Sequence, residues 1–90
     1  MIDFYRGTNF IGIFHLLEGG YFMKLGKNLK KARTNLQLTQ KNVANVIHVS
    51  RQTISNWEHE ISYPSLEKLI GLSYLYHVSI DQLLGNKSLY

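Results

Sequence analysis

The chain lacks cysteine entirely, has a single proline, and carries no acidic residue between Lys24 and Trp57. Each absence removes a class of protein. Without thiols there is no disulfide scaffold and no thiolate zinc site, and a cysteine-free chain suits a reducing cytoplasm, its expected location. One proline with 44 % hydrophobic residues excludes a disordered, proline-rich chain. No long hydrophobic run is present either. The longest apolar stretch, Phe10 to Leu17, is eight residues long and contains His15, too short to cross a bilayer. Asp3 and a lone Arg6 do not supply the basic start of a secretory signal. His15, His48, His59 and His77 form no i, i+3 or i, i+4 pair, so no metal site is expected. P-loop and nucleophile-elbow patterns are missing, so neither a cofactor nor catalysis is expected.

What is present is uneven in charge. Ninety residues make one small domain with a modest core. From Lys24 to Trp57 there are seven cations (Lys24, Lys27, Lys30, Lys31, Arg33, Lys41, Arg51) and no acid. From Glu58 onward four acids (Glu58, Glu60, Glu67, Asp81) face only Lys68 and Lys87. A basic surface alone is commonplace. A block without a single acid points to a polyanionic partner, nucleic acid first.

The first 22 residues differ from the rest. They hold four of the seven glycines and no sustained helical or alternating period. Glu18-Gly19-Gly20 can be encoded by a purine run of the kind bacterial ribosomes recognise, and Met23 follows at a suitable gap. Two readings stay open: an upstream translated extension with the natural start at Met23, or an ordinary loosely packed arm. The expected organisation is an arm over 1–22, a folded domain over 23–85 and a short tail over 86–90.

From Leu25 the pattern predicts five short helices and an all-α domain. Leu25, Leu29, Ala32 and Leu36 follow helical spacing on the first. Thr39 is the expected N-cap of the second, with Val43, Ala44 and Ile47 inward, and Ser50 of the third, with Ile54 and Trp57 inward. Pro64 marks a break, and Ser65 opens a fourth helix expected to turn Leu66, Leu69, Ile70 and Ser73 inward. Ser79 and Gln82 form a capping box for a fifth, stopped by Gly85.

Ile47 to Ser50 leaves room only for a tight turn, so the second and third helices read as a helix-turn-helix. Ala44 supplies the small residue where they approach, and Val49 the apolar plug of the turn. "LTQKNVANVIHVSRQTISNWE" with "YPSLEKLIGLSYLYHVSIDQLL" resembles the phage-repressor (Cro/repressor) helix-turn-helix, the xenobiotic-response-element family of bacterial regulators. The resemblance spans about Leu25 to Leu84. One departure is His48, where the family often has a glycine with positive φ; histidine there implies mild strain.

With Ile54 and Trp57 buried, helical geometry turns Gln52, Ser55 and Asn56 outward, Thr53 more laterally, while Arg51 reaches forward from the first turn. These suit base edges: arginine pairs with guanine, glutamine and asparagine with adenine, and the Thr53 methyl with thymine. The resemblance implies that a recognition helix over about 50–59 enters the major groove. It also implies phosphate contacts from Thr39, Gln40, Lys41 and Ser50 at the two helix starts. A partly buried salt bridge between Arg33 and Glu58 is implied as well.

The implied function is sequence-specific binding of double-stranded DNA by a small bacterial or phage transcriptional regulator. A homodimer is expected, formed in solution or only on DNA, through Tyr76, Val78, Ile80, Leu83 and Leu89-Tyr90. No membrane partner is expected, and nothing in the sequence points to a small-molecule effector. An antitoxin-like interaction module of the same fold, with autoregulatory DNA binding, stays open as the alternative.

Overall fold

The computed structural model describes residues 22–86 and Leu89. The expected arm, with its apolar stretch Phe10–Leu17, lies outside the described residues apart from Phe22, as do Lys87, Ser88 and Tyr90 of the expected tail. Among the described residues there are five helices and no strand: α1 (Phe22–Asn35), α2 (Gln40–Ile47), α3 (Arg51–Glu58), α4 (Leu66–Tyr76) and α5 (Ile80–Leu84).

Four of the five start on a hydroxyl. Thr39, Ser50, Ser65 and Ser79 each hold extended backbone and accept the N–H of the residue three positions on, satisfying a donor the helix cannot. Ser79 and Gln82 complete the expected capping box. Thr39 and Asn42 make a second, with asparagine in the place usually held by glutamate or glutamine. The ends use left-handed residues: His48 at φ 67°, His77 at φ 60° and Gly85 at φ 92°. Only the glycine escapes the Cβ penalty, about 1–2 kcal/mol for an L-residue in that region. The strain expected at His48 is therefore present, and His77 repeats it.

The core gathers one side of every helix. Leu25, Leu29 and Ala32 from α1 meet Val43, Ala44 and Ile47 from α2, Ile54 and Trp57 from α3, Leu72 and Tyr76 from α4, and Leu83 from α5. Val49 packs half-buried against this cluster, and its N–H donates to the Ala44 carbonyl at 3.0 Å. The turn between α2 and α3 is thus pinned from both chain and core.

Polar contacts across helices fix their relative placement. Lys68 on α4 donates from Nζ to the Ile47 carbonyl at 2.9 Å, a cation at the negative end of α2. Asn28 on α1 donates from Nδ2 to the carbonyls of Gln82 and Leu83, closing α5. Gly26 lets α1 lie against the end of α3. A Cβ there would sit 2.5 Å from the Glu58 carbonyl oxygen, and the Gly26 N–H donates to Glu60 Oε2 at 2.9 Å.

Three expectations need correction. Leu36 does not continue the α1 stripe. The helix ends at Asn35, Gln37 turns to φ 59°, Leu36 is exposed, and Leu38 packs on the core instead. On α4, Leu66 and Ile70 face outward while Leu69, Leu72, Ser73 and Tyr76 face inward. That inner stripe keeps the i, i+3, i+4, i+7 spacing, rotated from the expected one because Leu72 and Tyr76 outcompete Leu66 and Ile70 for the core. Tyr76, Leu83 and Leu89 are 3 %, 0 % and 8 % exposed. They are core residues, unavailable as an assembly surface.

Candidate nucleic-acid interface

The site is built outward from a buried ion pair. Arg33 donates from Nε to Glu58 Oε2 at 2.6 Å and from Nη2 to Oε1 at 3.0 Å, a bidentate geometry. Its Nη1 donates to the Leu38 carbonyl at 2.9 Å, tying down the turn between α1 and α2. The two side chains are 10 % and 2 % exposed. The hydrogen bond to Glu58 outweighs burial and holds the Arg33 guanidinium protonated beyond its already high ordinary range. Beside the pair, burial pushes the Tyr76 phenol well above its ordinary value; the Glu58 charge adds to this and Arg33 opposes it.

Gln40, the first residue of α2, sits on that pair. Its Nε2 donates to Glu58 Oε1 at 3.0 Å, and its Oε1 accepts from Arg51 Nη1 at 2.9 Å. The orientation is dictated chemically. A carboxylate only accepts and a guanidinium only donates, so the amide has one workable direction between them. The structure brings Gln40 into contact with both Glu58 and Arg51, a double engagement that spacing along the sequence did not reveal.

On the outer side of α3, Arg51 and Gln52 are exposed, with Thr53, Ser55 and Asn56 half-buried beside them. Gln52 donates from Nε2 to Asn56 Oδ1 at 3.0 Å, one turn apart on the same face. The Ser50 and Thr53 hydroxyls lie 2.9 Å apart, and Ser50 Oγ also accepts the Thr53 N–H. These two therefore serve the helix start as well as facing outward. Ser55 leans on His59, whose Nδ1 lies 2.8 Å from the Ser55 carbonyl; the sequence placed His59 at the end of the recognition helix without giving it a contact. Thr39 closes its own cap, and Lys41 is exposed on the first turn of α2.

The arrangement offers amides, hydroxyls and a guanidinium without a carboxylate on the outer face of α3. The starts of α2 and α3, at Gln40 and Arg51, lie beside it. Lys24, Lys27, Lys30 and Lys31 are exposed on α1 and add positive charge. No group of three or more histidine, aspartate or glutamate side chains suited to a metal occurs among the described residues. None of the described helices is long and apolar enough to cross a membrane.

The helix-turn-helix family profile matches residues 29–83. The chain is 43 % identical over 63 residues to the HTH-type transcriptional regulator ImmR of Bacillus subtilis (strain 168), covering 70 % of this chain and 50 % of the relative. It is 39 % identical over 67 residues to the HTH-type transcriptional activator BcrR of Enterococcus faecalis, covering 74 % and 33 % respectively. The chain thus spans half or less of the length of these relatives. Among solved structures, it is similar to the P22 c2 repressor protein in complex with synthetic operator 9T. That likeness has a TM-score of 0.66 and 30 % identity, covering 70 % of this chain and 96 % of the other.

Proposed function

Because the chain belongs to the helix-turn-helix family, in the phage-repressor branch that its sequence resembles, we propose that it binds double-stranded DNA sequence-specifically as a cytoplasmic transcriptional regulator. The observation that carries this is the two-sidedness of α3. Ile54, Trp57 and Glu58 are buried, leaving Arg51, Gln52 and Asn56 on a carboxylate-free outer face. In this proposal α3 enters the major groove. Arg51 pairs with guanine, Gln52 and Asn56 with adenine, and Ser55 and Thr53 make shorter contacts, Thr53 through a thymine methyl. Thr39, Gln40, Lys41 and Ser50 approach phosphates at the two helix starts, where N–H groups and the helix dipole favour an anion. Lys27, Lys30 and Lys31 contribute long-range attraction.

One recognition helix reads too few base pairs to find a site in a genome, so a homodimer on paired half-sites completes the proposal. Supporting it, Leu66, Ile70 and Tyr74 recur every fourth residue on the uncovered side of α4. In the antitoxin-like reading the DNA contact serves autoregulation and a different protein is the main partner. Selection of bound sites from random DNA, at a fixed salt concentration, tests the main proposal. An enriched sequence with two related half-sites is the expected result. Recovery of unenriched DNA would reject specific reading.

A further inference from the structure

We propose that the buried Arg33–Glu58 pair is a positioning device for base reading, acting through Gln40 to hold the Arg51 guanidinium at the start of α3. This rests on the DNA-reading role proposed for α3 and extends it to residues that touch no base.

Four side chains form one continuous hydrogen-bonded chain. Arg33 donates twice to Glu58, Gln40 Nε2 donates to Glu58 Oε1 at 3.0 Å, and Arg51 Nη1 donates to Gln40 Oε1 at 2.9 Å. Every link has a forced polarity. Flipping the Gln40 amide would set its carbonyl against the carboxylate and its NH₂ against a guanidinium, losing both bonds at once. The anchor is well held: the Glu58 side chain is 2 % exposed and accepts three hydrogen bonds. Order is therefore passed outward, from a buried carboxylate through a half-buried amide to an exposed arginine.

An arginine with an unrestrained side chain samples many rotamers, and ordering it on binding costs affinity. Such a side chain also chooses indifferently between a phosphate and a base. Held by Gln40, Arg51 is confined to the edge of α3 nearest α2 and keeps four of its five N–H groups for a partner. That is enough for a bidentate guanine contact at one place in the half-site. Gln40 and Glu58 are then positioning residues for specificity, and Arg51 is the reader.

The test uses the full chain and four proteins: wild type, Gln40→Leu, Arg51→Ala and the double variant. Sites are selected from random DNA with wild type. Each protein is then titrated against the selected operator and its single-base variants at two salt concentrations, with denaturant midpoints confirming folding. Gln40→Leu is expected to relax preference at the same base position as Arg51→Ala. It should lower operator affinity about tenfold, the size of one missing charge-assisted hydrogen bond, and leave the salt slope unchanged. Combined with Arg51→Ala it should add no further loss. Glu58→Gln, whose amide no longer forces the polarity of Gln40, should relax that same position at temperatures where it is folded. If it fails to fold, Gln40→Leu, which cuts the hydrogen-bonded link between the buried pair and Arg51, decides alone. A Gln40→Leu protein that weakens all DNA alike, its base preferences intact, leaves Gln40 with its phosphate contact alone and overturns the inference. So does an unmoved preference at the Arg51 position. A wild type that enriches no sequence is a different failure, since it removes the DNA-reading proposal itself.

Discussion

α3 and α4 begin alike and finish unlike. Each opens on a serine that accepts the N–H three residues on, and each buries one stripe in the shared core. Their outer sides are opposites. α3 leaves out Arg51, Gln52 and Asn56, whereas α4 leaves out Leu66, Ile70 and Tyr74, which are 69 %, 39 % and 79 % exposed. A polar outer face is at ease in water and gains specificity only when another molecule matches its donors and acceptors. An apolar stripe at every fourth residue is uncomfortable in water and favours a protein surface. Burial logic is the same in both helices. Their roles are distinguished by what the core did not take.

The sharpest way to break this comparison is at the inner end of α3. Glu58→Ala strands the Arg33 guanidinium, and Arg33→Ala strands the carboxylate; each should destabilise the domain by ~3 kcal/mol in denaturant titrations. Shifts under about 1 kcal/mol in both would place the pair with ordinary surface ion pairs.

Next comes the outer face of α3. Gln52→Ala should leave folding within about 0.5 kcal/mol of wild type. It should still cost roughly 1–3 kcal/mol on the selected operator and relax one base position. Replacing Lys27, Lys30 and Lys31 should weaken all sequences alike and flatten the salt dependence. Equal losses of Gln52→Ala on operator and scrambled DNA would take that residue out of base reading.

The outer face of α4 should respond in the reverse sense. Leu66→Ser with Tyr74→Ser should barely change folding or binding to a single half-site. Binding to paired half-sites should weaken by roughly 1–2 kcal/mol, because less apolar surface is then buried between the two copies. An unchanged footprint and affinity on paired half-sites would detach the stripe from homodimer assembly.

The smallest effect at neutral pH lies on the inner side of α4. Tyr76 is held above its ordinary value of 10.0, chiefly by burial. A raised folded value means that the unfolded chain gives up this proton first. The linked stability is therefore complete below pH 10.0 and is lost as pH climbs above it. Tyr76→Phe should flatten that alkaline limb in stability measured against pH, while a limb of unchanged steepness would assign it to other groups.

Much of the architecture was legible along the chain because it is made of local events. Thr39, Ser50, Ser65 and Ser79 act on N–H groups three residues away, and the inward stripes of α2 and α3 repeat with the helix itself. His48 was legible for the same reason, since its backbone strain belongs to one residue in a tight turn. The pairing of Arg33 with Glu58 was reached by family resemblance, because no periodicity links positions 25 residues apart.

Only the tertiary structure decided the remainder. It chose Leu38 over Leu36, and it rotated the α4 stripe so that Leu66 and Ile70 stayed outside. Lys68 came to the Ile47 carbonyl 21 residues away, and Gln40 came between Glu58 and Arg51, 18 and 11 residues distant. The physical reason is common to all of these. Periodicity shows that a helix has an apolar side, but when apolar residues exceed the space available, neighbouring helices determine which are covered. A polar side chain likewise shows its donors and acceptors in the sequence, while its partner depends on distances that only packing sets.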